Sequence, residues 1–443
     1  MRQISLSFGM MNRKVTSVRL KKSEKSLLSF ERACPDPSGR GWGWFSYIAK
    51  GLKLENWGLT FSEPLLNPLL APKDSPGEKR GDFSNLNLKL LSRIHGKVLF
   101  CVAVFPLLLL LLFDTASAQN LNRYEFSERH MGSDFGIILY AESDSIANVA
   151  SDSAYARIEK LNGVMSDYMA DSELSRLSRT SGSGQRVKLS RDLYRVLSEA
   201  QWKSYQTDGL FDATIGPMTK SWRQLRRSAN PMLPSGAEQM QIKERVGYEH
   251  LVLNHEDQTA RLLRRDMSLD LGGIGKGFAA DDAMSVLNSF GIYSALIDAG
   301  GDVTLGDPPP DRESWTTAVP KLITRDGTEV IRLALSSKSV ATSGDLYQFA
   351  MVDGVRYSHI LDPKTGLGST LQVQATVVSG TGTDADAWAS VLSLMRPEEG
   401  IKFIEQIEDT EAILFVREGD SVKEFMSSGM SDLLLTVTAE TAE

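Results

Sequence analysis

Apolar and polar residues alternate along some stretches of the chain and recur at helical spacing along others. Residues 124–143 alternate with a period of two and predict a pair of strands. Residues 145–168 carry apolar side chains three or four positions apart, which predicts a helix capped by Asp144 and Ser145. Residues 190–209 predict a second amphipathic helix, with Ser190 as N-cap and Gly209 just beyond its end.

The rest of the chain mixes short strands and helices without a steady alternation. Residues 251–263 are strand-like, and a helix is predicted over residues 276–290. Further strands are predicted at 293–300, 314–319, 330–336, 347–352, 373–379, 412–417 and 423–428, and helices at 383–395 and 397–407. This order favours an α+β fold with a mixed, largely antiparallel sheet. No G-x-G-x-x-G motif follows a first strand, which argues against a Rossmann domain.

The sequence suggests three segments along its 443 residues. Residues 98–113 form an apolar run after Arg93 and Lys97, and Ala116-Ser117-Ala118 resembles a signal-peptidase site. We therefore interpret residues 86–118 as a secretory signal peptide, with an uncleaved membrane anchor as the alternative. Residues 1–85 would precede any signal peptide, so this leader is of doubtful translation and is expected to be disordered. Residues 119–443 form the main domain.

Either interpretation of residues 86–118 places the main domain outside the cytoplasm, in the periplasm or on the outer face of the inner membrane. Both cysteines, Cys34 and Cys101, precede the cleavage site, so the main domain has neither a disulfide nor a thiol nucleophile. The net charge is −7, made up of +8 over residues 1–118 and −15 over residues 119–443. The acidic main domain argues against a nucleic-acid partner.

A glycine-rich stretch between a predicted strand and a predicted helix, SLDLGGIGKGFAADDAM at 268–284, is the first candidate site. Gly272 and Gly273 permit unusual backbone conformations and close approach of a ligand, and Lys276 lies where the helix begins. Free N–H groups at a helix N-terminus together with a lysine suit a phosphate. The alternative is a tight turn with a solvated lysine.

Carboxylates and a histidine mark two further segments. Asp298 and Asp302 flank a Gly-Gly pair, where they suit a hydroxyl-rich ligand, a metal, or simply a polar hairpin turn. His359 lies between a predicted strand and a turn, and it is either a functional base or a core histidine. The histidines of the main domain are not at metal-ligand spacing, which argues against a zinc site.

A carboxylate and a hydroxyl share one face of the helix predicted near residue 383. Asp386 and Ser390 are four residues apart, so both point the same way and could be oxygen ligands of a magnesium ion. The alternative is an ordinary helix capped by Thr383 or Asp384.

Taken together these segments resemble the ApbE family of flavin transferases. The motifs are DLGGIGKGFAADDA, DAGGDVTLG, VATSGDLYQF, YSHILDPKTG and DADAWASVL, preceded by MSDYMADSELSRLS and GLFDATIGPMTKSW. They occur in order over roughly residues 124–428. The resemblance implies a T-fold-like α+β fold with FAD in a cleft between two parts. It also implies Mg²⁺-dependent transfer of FMN from FAD to a threonine of a membrane or exported flavoprotein with an S-G-A-T-like motif, releasing AMP.

The resemblance also implies roles for individual residues. The metal ligands would be Asp386, Ser390 and a backbone carbonyl near Gly275, with Ser390 standing where the family usually has threonine. His359 would be catalytic, and Asp302 could share its role as proton acceptor. The residues expected to bind the flavin nucleotide are Met131, Tyr168, Phe211, Asp212, Thr214, Lys276, Asp302, Thr342, Ser343 and His359. Two other functions remain open: an FAD pyrophosphatase that yields FMN and AMP, and a non-catalytic flavin-binding protein.

Overall fold

The computed structural model describes residues 121–321, 329–344 and 348–435. The predicted leader, residues 1–85, and the predicted signal peptide or anchor, residues 86–118, lie outside these ranges. Within them, no helix has the length and apolar character needed to cross a membrane.

Fifteen strands occur in the described ranges. They are β1 (Asn122–His130), β2 (Ser133–Ala141), β3 (Val187–Lys188), β4 (Leu251–Asn254), β5 (Thr259–Leu262), β6 (Ala295–Ala299), β7 (Val303–Leu305), β8 (Trp315–Pro320), β9 (Val330–Leu335), β10 (Ser339–Gly344), β11 (Phe349–Val352), β12 (Val355–Ser358), β13 (Val373–Ser379), β14 (Glu411–Glu418) and β15 (Ser421–Met426).

The α-helices in the same ranges are α1 (Asp144–Met165), α2 (Glu173–Ser178), α3 (Arg191–Gln206), α4 (Gly216–Arg227), α5 (Gly236–Lys243), α6 (Gly275–Ser289), α7 (Gly382–Leu392), α8 (Pro397–Ile404) and α9 (Met430–Leu433). A short 3₁₀ helix covers Tyr248–His250.

A large antiparallel sheet organises this part of the chain. Its eight strands follow the order β1-β2-β6-β7-β10-β13-β14-β15, and every neighbouring pair is antiparallel. β3, β5 and β4 form a small second sheet, while β8–β9 and β11–β12 are separate hairpins. The predicted α+β fold with a largely antiparallel sheet is confirmed.

Helices cover one face of the large sheet. The main core joins buried residues of β2, α1, α6, α7 and β13, including Ile137, Ile158 and Trp388. On the opposite face, the β8–β9 hairpin and α9 pack over Val340, Val378 and Phe415. A third and smaller cluster joins α4 to the β11–β12 hairpin through Met218, Trp222 and Ala350.

Helix boundaries match the sequence pattern to within a few residues, but two of the predicted caps are wrong. The cap of α1 is Ser143, whose side chain accepts a hydrogen bond from the Ile146 N–H, and not Asp144 or Ser145. Helix α7 is capped by Thr381, which accepts from the Asp384 N–H, and not by Thr383 or Asp384. Both regions contain several neighbouring Ser, Thr and Asp residues, all of which are good caps. Composition alone therefore does not identify which of these residues caps the helix.

Candidate active site

A cleft of about 1240 Å³ opens between the helix-covered sheet and the small cluster of α4 and the β11–β12 hairpin. Nearly every residue expected to act at the site lines this one cavity. They are Met131, Tyr168, Phe211, Asp212, Gly275, Lys276, Asp302, Thr342, Ser343, His359, Asp386 and Ser390. The cleft is therefore formed by segments that are distant in sequence and that only the fold brings together.

Thr214 is the expected site residue that does not line the cleft. It is fully buried behind the wall, where its hydroxyl donates to Asp212 Oδ1 at 2.7 Å. The same hydroxyl accepts from the Gly247 N–H at 2.8 Å. Thr214 thus orients Asp212 and anchors the neighbouring loop, and any effect on a ligand passes through Asp212.

The glycine-rich turn leads directly into α6, whose N-terminus faces the cleft. None of Gly272, Gly273, Gly275 and Gly277 has a positive φ, so the expectation that Gly272 and Gly273 supply unusual backbone conformations is wrong. Glycine is needed at position 277 because there is no room for a side chain. A Cβ on Gly277 would lie 2.0 Å from the Gly382 carbonyl oxygen, because the first turns of α6 and α7 cross there.

The glycine-rich turn and the start of α6 lie against Asp386 and Ser390 of α7. Asp386 is buried and accepts a hydrogen bond from the Gly277 N–H at 3.1 Å. A Cβ on Gly273 would lie 3.1 Å from Ser390 Oγ, whereas a Cβ on Gly275 would find only Met165 Cε at 4.0 Å. The turn therefore brings Gly273 closer to Ser390 than Gly275, whose expected role as a carbonyl ligand remains a prediction.

Lys276 forms an ion pair with Asp302, and both residues line the cleft. Burial alone would lower the pKa of Lys276, but the carboxylates of Asp302, Asp386 and Asp298 outweigh it, so the pKa is raised. The lysine is thus firmly cationic. Asp302 also accepts from the Thr342 N–H at 3.3 Å, which ties the ion pair to β10.

Asp386 lies near this ion pair and carries a raised pKa. Burial is the largest cause, repulsion by Asp302 adds to it, and Lys276 opposes it. A buried carboxylate with a raised pKa gains most from a cation that stabilises its charged form.

His359 lies at the end of β12 and lines the cleft on the side of the small cluster. Its Nδ1 is 3.1 Å from the Gln348 carbonyl oxygen. Because a carbonyl can only accept, Nδ1 carries the hydrogen and Nε2 keeps its lone pair. Burial and the positive charges of Arg226 and Lys276 lower the pKa of His359 to about 4, so the ring is neutral at physiological pH.

Aromatic and apolar side chains line another part of the cleft. Met131 occupies the tight turn between β1 and β2 with a φ of 48°, which is uncommon for a residue with a side chain. Phe211 is buried, whereas Tyr168 is 72% exposed. A half-buried methionine beside exposed and buried rings suits a flat aromatic ligand.

Several polar residues of this wall were not singled out from the sequence. Arg223 of α4 pairs with Asp167 and, at 2.9 Å, with Asp270 Oδ2, and its guanidinium lies 4.2 Å from the centre of the Tyr168 ring. Asp270 also accepts from the Thr219 hydroxyl at 2.7 Å and the Gly272 N–H at 2.8 Å. Asp270 belongs to the quoted glycine-rich motif. The sequence did not indicate its role because Thr219 and Arg223, with which it interacts, are distant in sequence.

The donor set fits a hard cation better than zinc. Asp386, Ser390 and the adjacent backbone carbonyls are all oxygen donors, which Mg²⁺ prefers. Among the residues that the structure describes, no three His, Cys, Asp or Glu side chains form a metal-binding group. A site with one carboxylate leaves coordination positions for ligand oxygens and water.

Comparison with known proteins supports the resemblance to the ApbE family. The ApbE family model matches residues 131–414. A Vibrio cholerae protein named FAD:protein FMN transferase is 30% identical over 280 residues, which cover 62% of this chain and 82% of that protein. A Klebsiella pneumoniae protein of the same name is 28% identical over 304 residues, covering 68% and 91% of the two chains.

Solved structures show the same relationship. The flavin transferase ApbE from Vibrio cholerae superposes with a TM-score of 0.64 at 28% sequence identity, covering 71% of this chain and all of that one. The apo flavinyl transferase ApbE of Pseudomonas stutzeri, at 23% identity and a TM-score of 0.64, shares the fold. The family match spans the whole cleft, from Met131 to beyond Ser390, and the chain therefore belongs to the ApbE family.

Proposed function

We propose that this chain is an enzyme that transfers FMN from FAD to a threonine hydroxyl of an acceptor protein and releases AMP. The observation that carries the proposal is one cleft that contains the oxygen-donor pair Asp386 and Ser390, the cationic Lys276 and the neutral His359. The oxygen donors can bind a metal ion, the cation can bind the diphosphate of a nucleotide, and the histidine can accept a proton. The names of the Vibrio cholerae and Klebsiella pneumoniae relatives agree with this chemistry.

Magnesium is the proposed metal, held by Asp386, Ser390 and a backbone carbonyl of the turn at residues 272–275. When bound, it would neutralise charge on the diphosphate and act as a Lewis acid. Ser390 retains the hydroxyl that a threonine would offer at this position. The raised pKa of Asp386 supports this assignment, because a bound cation would stabilise the charged carboxylate.

Lys276 and the N-terminus of α6 would hold the diphosphate. The ammonium supplies a full positive charge. The N–H groups of Gly275 and Gly277 already donate to the Leu271 carbonyl oxygen and to Asp386, so the helix contributes its partial positive charge rather than free donors. The carboxylate of Asp302 keeps the lysine directed into the cleft. This assigns Asp302 an orienting role first, and a share in proton transfer only as the alternative.

The acceptor hydroxyl must lose its proton as it attacks phosphorus. Its oxygen bonds to the phosphorus of the FMN half while the bond from that phosphorus to the bridging oxygen breaks, so AMP departs with the bridging oxygen. The proton moves to Nε2 of His359, which is neutral and retains its lone pair. Positioning of the three groups supplies the remaining rate enhancement.

Two alternatives use the same cleft. With water in place of the acceptor, the enzyme would be an FAD pyrophosphatase that yields FMN and AMP. Without either reaction, the protein would bind FAD and leave it intact. The proposed acceptor is a membrane or exported flavoprotein with an S-G-A-T-like motif, and the proposed location of this enzyme is outside the cytoplasm.

Intact-protein mass spectrometry tests the proposal. An acceptor domain with an S-G-A-T-like motif is incubated with the purified chain, FAD and Mg²⁺, and AMP is measured in parallel. We expect the acceptor to gain one FMN, and this gain to disappear with a chelator or with His359→Ala. AMP without a modified acceptor would establish the pyrophosphatase instead, and intact bound FAD without AMP would establish a binding protein.

A further inference from the structure

The arginine at position 223 connects three parts of the cleft wall. It extends from α4, pairs with Asp167 after the end of α1 and with Asp270 before the glycine-rich turn, and lies against Tyr168. All four residues line the cleft. The side chains of Asp167 and Asp270 are only 10% and 7% exposed, so the guanidinium is held by two sheltered carboxylates.

The ring of Tyr168 is otherwise weakly held by the residues that the structure describes. The residue is 72% exposed and follows the last turn of α1, and its backbone N–H donates to Ser166 Oγ at 3.3 Å. An exposed aromatic side chain normally samples several rotamers and loses that freedom when a ligand binds. The guanidinium, 4.2 Å from the ring centre, covers one face of the ring and favours a single orientation.

We propose that Arg223 is a positioning residue that holds Tyr168 as a stacking platform for a planar heteroaromatic ring of the nucleotide. One ring face contacts Arg223 and the other remains available to the ligand. Arginine suits this role because its planar group can bridge two carboxylates and stack on a ring at the same time, which lysine cannot do. The inference rests on the proposed function, since it requires FAD as the ligand.

The first test compares Arg223→Lys with the unaltered full chain. Lysine keeps the positive charge between Asp167 and Asp270, so the protein should still fold, and it loses the planar contact with Tyr168. We expect the Kd for FAD, measured by titration calorimetry without acceptor, and the KM to rise about tenfold. We expect kcat to change much less, because the stacking contact exists before and during the reaction.

A double-mutant comparison shows whether Arg223 acts through the ring. Arg223→Lys is introduced into Tyr168→Phe, which keeps the ring, and into Tyr168→Leu, which removes it. The tenfold loss should persist in the phenylalanine background and vanish in the leucine background. Equal losses in both backgrounds would overturn the inference.

Separate titrations with FMN and with AMP identify the ring. Weaker binding of FMN alone would place the isoalloxazine on Tyr168, and weaker binding of AMP alone would place the adenine there. Unchanged affinity for both ligands and for FAD would overturn the inference. Lys220→Met removes an exposed charge from the same helix and should leave the Kd unchanged.

Failure of the proposed function can be distinguished from failure of the positioning role of Arg223. If the unaltered chain does not bind FAD, the proposed function fails before Arg223 is tested. If it binds FAD and modifies the acceptor, and Arg223→Lys does the same with an unchanged KM, only the positioning role fails.

Discussion

Gly277 and Gly382 lie in direct backbone contact where α6 and α7 begin. A Cβ on Gly277 would lie 2.0 Å from the Gly382 carbonyl oxygen, and a Cβ on Gly382 would lie 2.8 Å from the Gly277 oxygen. The Gly277 N–H also donates to Asp386. The contact therefore sets the distance between the helix that carries Lys276 and the helix that carries Asp386 and Ser390.

Gly277→Ala should separate these two helices. Because the obstacle is a backbone carbonyl that cannot rotate away, we expect a loss of about 3 kcal/mol in the free energy of unfolding. Urea denaturation measures this loss. Activity per folded molecule should fall as well, since Asp386 moves relative to Lys276.

Gly163→Ala is the matched control for that substitution. Gly163 lies inside α1, and a Cβ there would meet nothing within 4 Å. Alanine should stabilise the helix by about 0.5–1 kcal/mol and leave activity unchanged. A destabilised Gly163→Ala, or a Gly277→Ala as stable as the unaltered protein, would contradict this account of the helix contact.

Asp386→Asn should separate folding from metal-dependent activity. Asparagine keeps the shape and an acceptor for the Gly277 N–H, and it removes a charge that is unfavourable beside Asp302 when no metal is bound. We expect the metal-free thermal midpoint to be equal or higher and the Mg²⁺-dependent rate to fall by about a hundredfold or more. Ser390→Thr, which retains the hydroxyl, should keep the activity. Full activity in Asp386→Asn would disprove the metal assignment.

His359 should give no titration near the usual histidine pKa. Its pKa is lowered to about 4 by burial, Arg226 and Lys276, so its neutral form predominates above about pH 5. The rate of FMN transfer should therefore not fall through protonation of His359 between about pH 5.5 and 8. His359→Gln should reduce kcat by about 10²–10⁴ at every pH in that range. An acid limb near pH 6.5 that disappears in His359→Gln would contradict the lowered pKa.

Asp212 should make stability depend on pH. Burial raises the pKa of its carboxyl from the ordinary 3.8 to about 6, against the opposing hydrogen bonds from Thr214. The folded state therefore holds this proton more tightly than the unfolded state. The proton's contribution to the free energy of unfolding is fully present below about pH 4, and it is lost as the pH rises through about 6. Asp212→Asn retains an acceptor for Thr214 and cannot ionise. Relative to this variant, the unaltered protein should lose up to about 3 kcal/mol between pH 4 and 7.

Thermal unfolding of both proteins across that pH range measures the difference. The comparison cancels the other groups that titrate there, because only position 212 differs. Parallel pH profiles of the two proteins would show that Asp212 has an ordinary pKa.

Strands and helices with one buried face were predictable because burial leaves a period in the sequence. The β1–β2 pair and α3 with its Ser190 cap are examples. β10 was not recognised as a strand. Its second half, Thr342–Ser343–Gly344, is polar because it borders the cleft, yet the strand lies in the middle of the sheet between β7 and β13. Functional polarity removed the hydrophobic signal that would have revealed the strand.

Long-range ion pairs were equally invisible to sequence patterns. Lys203 would be placed at the surface by its type, yet its side chain is fully buried in the folded chain. Its ammonium lies 2.7 Å from Asp384 Oδ1 and 5.3 Å from the ring centres of both Trp202 and Trp388. Only the packing of α3 against α7 creates this environment. The same holds for Arg223 and Asp270, whose partners come from separate helices and turns.

The order of strands in the large sheet has a consequence for how the protein folds. β2 pairs with β6, so that Ile137 lies opposite Ile297, although the intervening chain contains six α-helices and a small sheet. Closing such a long loop costs entropy before any contact compensates it, and folds rich in such pairings form slowly. Met131, Lys276 and Ser390 come to line the same cleft only after these pairings have formed. We expect refolding to recover helical circular dichroism before it recovers FAD binding.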